Sequence, residues 1–370
     1  MPDASYRILF AITSHGLGHL TRTLAIMREF IAAYPHIQAI VSTGISRERI
    51  AVDLPEPFLY RQIRYEPGTA QKNCFEVDVH RTREAYRTFF RMRKQKLREE
   101  EDFIKEFKCQ AVVSDIPALP VRAAANVGVP AVGFSNFTWD WILEPILKGT
   151  QLECIVEQLA EDYSFGQLHL RLPFSPSISP FSYSEEVPLI SRTARLSPVE
   201  VRQRLGVPLN DLRSLVVVCP GGWEAESWDS VHVEGCQDIR FIMVGDLPIT
   251  ADAPTIHLPH DLPYGLIFPD LVQTADVVLA KPGYGIVSEC VLHRIPMVLT
   301  ERPDFRETPV MLQWMEEIGP HSRISLNDFF SGRWEEPILQ ALTSTVSWKT
   351  FESDGARKVA LRLGSFFQIS

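Results

Sequence analysis

Short apolar runs recur along the chain, several of them followed by a turn and then by a segment whose apolar positions lie three or four apart. The runs fit strands buried on both faces of a parallel sheet, and the spaced segments fit helices packed against it. The first such unit begins with the run Ile8, Leu9, Phe10, Ala11 and Ile12 and passes through the loop 13–19. It then enters a helix presenting Leu20, Leu24, Met27, Phe30, Ile31 and Tyr34 on one face. The same order returns at 111–115, in the Ala-rich helix 121–127 and at 130–134. Strand, turn, helix, strand is the grammar of a doubly wound βαβ unit.

Between 172 and 191 the composition turns to Pro and Ser, with Pro173, Pro176, Pro180 and Pro188, and the pattern reads as a linker. Beyond it the grammar restarts at 215–219 and runs through 241–244, 277–280, a helix at 286–293 and 297–299. A chain of 370 residues exceeds the size at which one core usually keeps growing. The pattern therefore predicts an α/β protein of two Rossmann-like doubly wound domains facing across a cleft, 1–187 and 188–350, with the boundary near Val187.

The net charge of −9 argues against a general nucleic-acid binder and favours small-molecule chemistry. One basic stretch, 81–98, holds eight Arg and Lys side chains and one acid, Glu84. It reads first as a solvated helix face; Phe89 and Phe90 within it keep peripheral contact with an anionic membrane surface as the lesser reading. The six cysteines form no Cys-x-x-Cys pair and no metal spacing with histidine, so they read as reduced thiols, and no metal is expected. The N-terminus is polar and leads straight into a strand, and no apolar run approaches spanning length. The expectation is a cytoplasmic protein without a signal peptide.

The chemistry gathers at strand ends. Lys281-Pro282-Gly283-Tyr284-Gly285-Ile286-Val287-Ser288-Glu289 reads as a strand end, a double-glycine turn and a helix start. Small residues let backbone approach a phosphate, and the free N–H groups of a helix N-terminus favour the anion. A plain tight turn competes with that reading. Glu289, placed in the first turn of the helix, is suited to accept both ribose hydroxyls, against the plainer role of complementing the helix dipole. Gly221 and Gly222 make a second turn at the same sheet edge, where ligands of open α/β sheets collect. In the first half, His19 follows Gly18 at the exit of the first strand, and Asp115 ends another. A histidine oriented by a carboxylate is a general base for an attacking hydroxyl. His15 competes for that role, and helix capping is the plainer reading of either histidine. Asn136, Phe137, Trp139 and Trp141 suggest an aromatic-lined acceptor site, with core packing as the alternative.

Taken together, Ser14-His15-Gly16-Leu17-Gly18-His19, Val113-Ser114-Asp115, the stretches 135–140 and 160–164, and Gly283 through Glu289 resemble the glycosyltransferase-like N-terminal region of L-arabinokinases over nearly the whole chain. The sugar-kinase module of those proteins has no counterpart here, so arabinose phosphorylation is not implied. More widely the pattern is similar to inverting GT-B glycosyltransferases. Among these are the UDP-dependent enzymes acting on small molecules and the N-acetylglucosaminyltransferase that forms lipid II. The resemblance implies that Gly18 and His19 match the family's Gly-His, that Asp115 matches its aspartate partner, and that Ser288 and Glu289 match its ribose-binding pair. Asp304, Arg306 and Glu307 fall where the family places residues touching the donor sugar, but the family's amide is replaced. It also implies a last helix, about 354–367, crossing back onto the first domain.

The expected activity is inverting, metal-independent transfer of a sugar from a nucleoside diphosphate donor, with UDP as the expected nucleotide. The acceptor is a hydroxyl or amine on a small molecule or lipid. No cofactor is expected beyond the nucleotide-sugar substrate. His19 and Asp115 form the catalytic pair; Gly221, Gly222, Gly283, Tyr284, Gly285, Ser288, Glu289, Asp304, Arg306 and Glu307 bind the donor; His15, Gly18, Asn136 and Trp139 lie on the acceptor side. A sugar-nucleotide epimerase of the same architecture and a non-catalytic nucleotide-sugar sensor are the alternatives. The epimerases look like chains with paired glutamates after the glycine turn, and here Cys290 follows Glu289.

Overall fold

The fold was analysed in a computed structural model that describes residues 6–54, 57–177, 179–221 and 230–369. The chain divides into two units: Met1–Ala70 with Asp78–Ile190 and Glu352–Ser370, and Gln71–Val77 with Ser191–Phe351. The change from one unit to the other after Ile190 lies within the Pro- and Ser-rich stretch.

In unit 1, β1 (Tyr6–Ile12) feeds α1 (Leu17–Ala33), then β2 (Ile37–Thr43), α2 (Arg47–Ala51) and β3 (Leu59–Gln62). The helices α3 (Val79–Arg91) and α4 (Arg93–Glu106) lead to β4 (Ala111–Asp115), α5 (Ala118–Asn126) and β5 (Ala131–Ser135). The helices α6 (Trp139–Leu147) and α7 (Glu153–Ser164), then β6 (Leu168–Arg171) and β7 (Ser184–Glu186), complete the sheet. Its strand order is β3-β2-β1-β4-β5-β6-β7, with every pairing parallel. Both faces carry helices, which is why Ile8 through Ile12 and Ala111 through Val113 are buried without alternation. The order reverses between β1 and β4, whose registers pair Ile12 with Asp115.

Unit 2 starts with α8 (Pro198–Arg204), β8 (Ser214–Cys219), β9 (Val231–Val233), β10 (Ile239–Val244), β11 (Ile249–Ala251) and β12 (Thr255–Leu258). It continues with α9 (Phe268–Thr274), β13 (Val277–Ala280), α10 (Tyr284–His293), β14 (Met297–Thr300), α11 (Glu307–Ile318), β15 (His321–Ile324), α12 (Leu326–Phe330) and α13 (Glu335–Thr343). The main sheet, ordered β12-β10-β8-β13-β14-β15, is again wholly parallel, and its reversal lies between β8 and β13. The core packs Val216, Val218, Phe241, Met243 and Leu279 with Phe329 and Trp334. Cys74 and Phe75 are part of it, contributed by the short segment Gln71–Val77. That segment was expected within the first domain; nothing local in its sequence marks the change of partner.

The final helix α14 (Gly355–Phe366) packs on α1 inside unit 1, and Arg362 pairs with Glu185 through Nη2 at 2.9 Å. Glycine permits this approach: a Cβ at Gly364 would lie 2.1 Å from the Tyr34 hydroxyl oxygen. The basic stretch 81–98 spans α3 and α4, broken at Met92. Arg93 pairs with Asp162 at 2.5 Å and Arg83 donates to the Ile146 carbonyl at 2.9 Å. Phe89 and Phe90 are half-buried and line a small cavity in unit 1 with Glu66 and Trp139, so their contacts lend no support to a membrane-surface role. Among the described residues no helix is long and apolar enough to cross a membrane.

Candidate active site

His19 is the third residue of α1, the helix that follows β1 after the loop 13–16, and Asp115 is the last residue of β4. The two strands flank the reversal point of the sheet, the place where open α/β folds gather ligands. His19 Nδ1 lies 3.2 Å from Asp115 Oδ1, with both residues buried. Sequence reasoning missed Arg22, one helical turn after His19 on the same face. Its Nε and Nη2 reach the two oxygens of Asp115 at 2.8 and 2.5 Å, Nη1 donates to Asn136 Oδ1 at 2.6 Å, and Nη2 lies 2.8 Å from His19 Nδ1. Thr23 adds a hydrogen bond to Asp115 Oδ2 at 2.7 Å. An arginine one turn beyond His19, among the apolar positions Leu20, Leu24 and Met27, was the available signal.

The electrostatics follow from this clasp. Burial alone would raise the Asp115 carboxyl, but the Arg22 charge and hydrogen bonds outweigh it, with help from His19, and hold it at about 2. His19 is pushed below its ordinary value by burial and then by Arg22, against the opposing pull of Asp115. The ring is thus neutral at neutral pH. Its Nδ1 has two competing neighbours: a proton on Nδ1 donated to Asp115 leaves Nε2 as a base, whereas Nδ1 accepting from Arg22 places the proton on Nε2.

The remaining first-half candidates separate into two groups. Asn136 is buried and anchors Arg22, and Phe137 meets the His19 ring edge-on at 5.6 Å. Gly18 is the residue before His19 in the first turn of α1. His15 sits apart from the Asp115 cluster, with Nε2 3.3 Å from Thr69 Oγ1 and its ring against Trp139. Trp139 is wholly buried and donates from Nε1 to Glu66 Oε1 at 3.1 Å, so core packing accounts for it. Glu66 was not foreseen; burial raises its carboxyl to about 7 against hydrogen bonds from Thr13 and Trp139.

In unit 2, α10 begins at Tyr284 with Gly283 as its extended N-cap, so Gly285 lies inside the first helical turn rather than in a two-glycine loop. Glu289 therefore falls in the second turn, not the first, and α10 has no acidic residue in its first turn. Among the described residues the N-cap Gly283 offers no side-chain hydrogen bond to the first backbone N–H groups of the helix. A Cβ at Gly283 would meet nothing within 4 Å among the described residues. Tyr284, Ser288 and Glu289 are buried; Ser288 donates to the Gly285 carbonyl at 2.8 Å, and Glu289 Oε1 accepts from Arg192 Nε at 2.7 Å. Gly221, at positive φ, follows the neighbouring strand β8; Gly222 lies outside the described residues. Asp304 is exposed, Arg306 precedes α11 as its N-cap, and Glu307 is its buried first residue.

Two cations that sequence reasoning did not single out stand beside these turns. Lys281 Nζ donates to the Cys74 carbonyl at 3.4 Å, and Arg302 Nε donates to the next carbonyl, that of Phe75, at 3.3 Å. Burial, then the Arg302 charge, lowers Lys281 to about 8; burial lowers Arg302 to about 10 against the pull of Glu307. Among the described residues no group of His, Cys, Asp and Glu is arranged to hold a metal.

Two all-parallel, doubly wound units with their strand-end residues so placed define a GT-B-type architecture. The solved structures bear this out. A UDP-glucosyltransferase from Polygonum tinctorium capable of glucosylating indoxyl aligns over 99% of both chains at a TM-score of 0.59 and 12% identity. The calicheamicin glycosyltransferase CalG4 covers 98% of this chain and 94% of its own at 0.60 and 15%. In sequence the chain is 30% identical to L-arabinokinase of Arabidopsis thaliana over 351 residues, 92% of this chain. It spans only about a third of that relative, 32% of its length. An uncharacterized glycosyltransferase of Methanopyrus kandleri is 24% identical over 255 residues, 66% of this chain and 71% of that one. No family model matches. The chain thus has the GT-B glycosyltransferase fold, and it is a sequence relative of the L-arabinokinase region with which it aligns.

Proposed function

We propose that the protein transfers a sugar from a nucleoside diphosphate donor, a UDP-sugar, to a hydroxyl or amine acceptor with inversion at the anomeric carbon. The observation that carries this reading is α10. Its N-terminus, with Gly283 as N-cap, follows β13 beside β8 at the reversal point of the unit 2 sheet, with the buried carboxylate of Glu289 one turn further on. Anion-binding backbone and a carboxylate suited to ribose hydroxyls in one place match a nucleotide better than any other common ligand. The names of the structural neighbours, which include UDP-dependent glucosyltransferases, support the same donor.

In the proposed reaction His19, with its proton on Nδ1 toward Asp115, takes the acceptor's proton at Nε2 as the acceptor oxygen or nitrogen bonds to the anomeric carbon. The bond from that carbon to the diphosphate breaks, and the diphosphate departs with the electron pair. Asn136 and Arg22 keep Asp115 oriented and ionised. Tyr284, Ser288 and the Gly283 region position the donor, while Asp304 and Arg306, between β14 and α11, and Glu307, the first residue of α11, are the proposed contacts to its sugar. No divalent metal takes part in this scheme. The acceptor is a small molecule or lipid-linked group.

A panel of nucleotide sugars, followed by thermal shift and by nucleoside diphosphate release with and without candidate acceptors, tests the proposal. Stabilisation and release specific to one UDP-sugar are expected; indifference of the protein to every nucleotide sugar would overturn it.

A further inference from the structure

We propose that Lys281 and Arg302 form a cationic cradle for the diphosphate of the nucleotide held by unit 2. The proposal rests on the reading of α10 as a nucleotide site and adds what that reading lacks, a full countercharge for the leaving group. Lys281 is two residues before the N-cap Gly283, and its stem lies against the neighbouring turn: a Cβ at Gly221 would sit 3.1 Å from Lys281 Cε. Arg302 follows β14, the next strand in the sheet. Consecutive carbonyls, of Cys74 and Phe75, hold the two cations. Phe75 is itself fixed among Phe329 and Phe330, so the segment Gln71–Val77 acts as a clamp that sets both side chains.

Two buried polar atoms at the cations lack protein partners among the described residues. Arg302 is 4% exposed, yet among the described residues its Nη2 has no hydrogen-bond partner, and neither does Oγ1 of the buried Thr308 in the first turn of α11. Among the described residues neither cation is in a salt bridge, and Glu307 is the carboxylate whose charge pulls on both. A buried cation such as Arg302 is costly unless paired, and a diphosphate supplies both the charge and the oxygens that accept in parallel from a guanidinium fork. A single carboxylate would leave one cation unmatched. Burial and the neighbouring Arg302 charge lower the affinity of Lys281 for its proton, and a diphosphate arriving beside it would oppose that effect.

Calorimetry of UDP and of uridine binding, in buffers of different ionisation enthalpy at pH 8, tests this on the wild-type protein and on Lys281→Gln and Arg302→Gln. With Lys281 near its midpoint, the wild type should take up to about half a proton per UDP. Lys281→Gln should abolish that uptake. Each variant should bind UDP about tenfold or more weakly while uridine binding stays within about twofold. UDP binding without proton uptake, or variants that match the wild type for UDP, would overturn the cradle and leave the nucleotide site standing. Equal losses for UDP and uridine would assign the two residues to structure alone. No UDP binding by the wild type would remove the site itself. Should Arg302→Gln fail to fold, the proton uptake of the wild type and its loss in Lys281→Gln decide the matter.

Discussion

Arg22 clasps Asp115 side-on, Nε to one carboxylate oxygen and Nη2 to the other, and the same Nη2 lies 2.8 Å from the imidazole of His19. The guanidinium is therefore both the countercharge of the aspartate and a brake on protonation of the histidine. Removing it leaves a carboxylate that is 1% exposed without its ion pair, a loss typically of about 3–5 kcal/mol. In Arg22→Gln the unfolding midpoint should fall accordingly. His19 should titrate at a higher pH, because the charge that lowers its proton affinity is gone while Asp115 remains. Denaturant titration and imidazole NMR read the two effects; an unchanged midpoint with an unchanged histidine titration would contradict this account.

His19→Ala should lower turnover by roughly two to four orders of magnitude, the scale of general base catalysis, with donor binding nearly intact. Asp115→Asn should cost less, and the double variant should add little to the histidine loss. Because burial and Arg22 hold His19 below its ordinary value of 6.5, the acid limb of the wild-type rate profile should fall below that pH. Steady-state kinetics of His15→Ala provide the contrast: abolished turnover there, with His19→Ala near normal, would move the base within the loop.

Glu66 predicts a stability change with pH. Its folded-state value is about 7 against 4.5, so the folded protein binds the extra proton. The stabilisation is complete below about pH 4.5 and is lost as pH rises through about 7. Relative to Glu66→Gln, the wild type should lose up to about 3 kcal/mol between pH 5 and pH 8. Urea titrations at the two pH values measure this, and a constant difference between the proteins would show that Glu66 is ionised in the folded state.

The strands and their order of chemistry were legible because buried parallel strands leave unbroken apolar runs, as at 8–12 and 277–280, and because turns at their ends carry glycine. Helix phase was less so. Gly283 and Gly285 suggested a loop, but Gly283 alone caps α10 and the helix starts at Tyr284, which moves Glu289 into the second turn. Trp139 drew attention as an aromatic near Asn136, although its indole serves the core through Glu66. Arg22 was within reach of periodicity, since it shares a helix face with His19. Lys281 and Arg302 were not, because their partners are carbonyls of residues 74 and 75, some two hundred positions away, and backbone acceptors leave no trace in side-chain identity.

The central claim is that unit 2 holds a uridine nucleotide through Glu289 and the α10 N-terminus, and calorimetric titration of UDP into the wild type and Glu289→Ala tests it most directly. Loss of a buried hydrogen bond from a charged group costs about 1.5–3 kcal/mol. The account therefore predicts UDP binding by the wild type and roughly ten- to a hundredfold weaker binding by the variant. The same UDP affinity in both proteins, or none in the wild type, would contradict it.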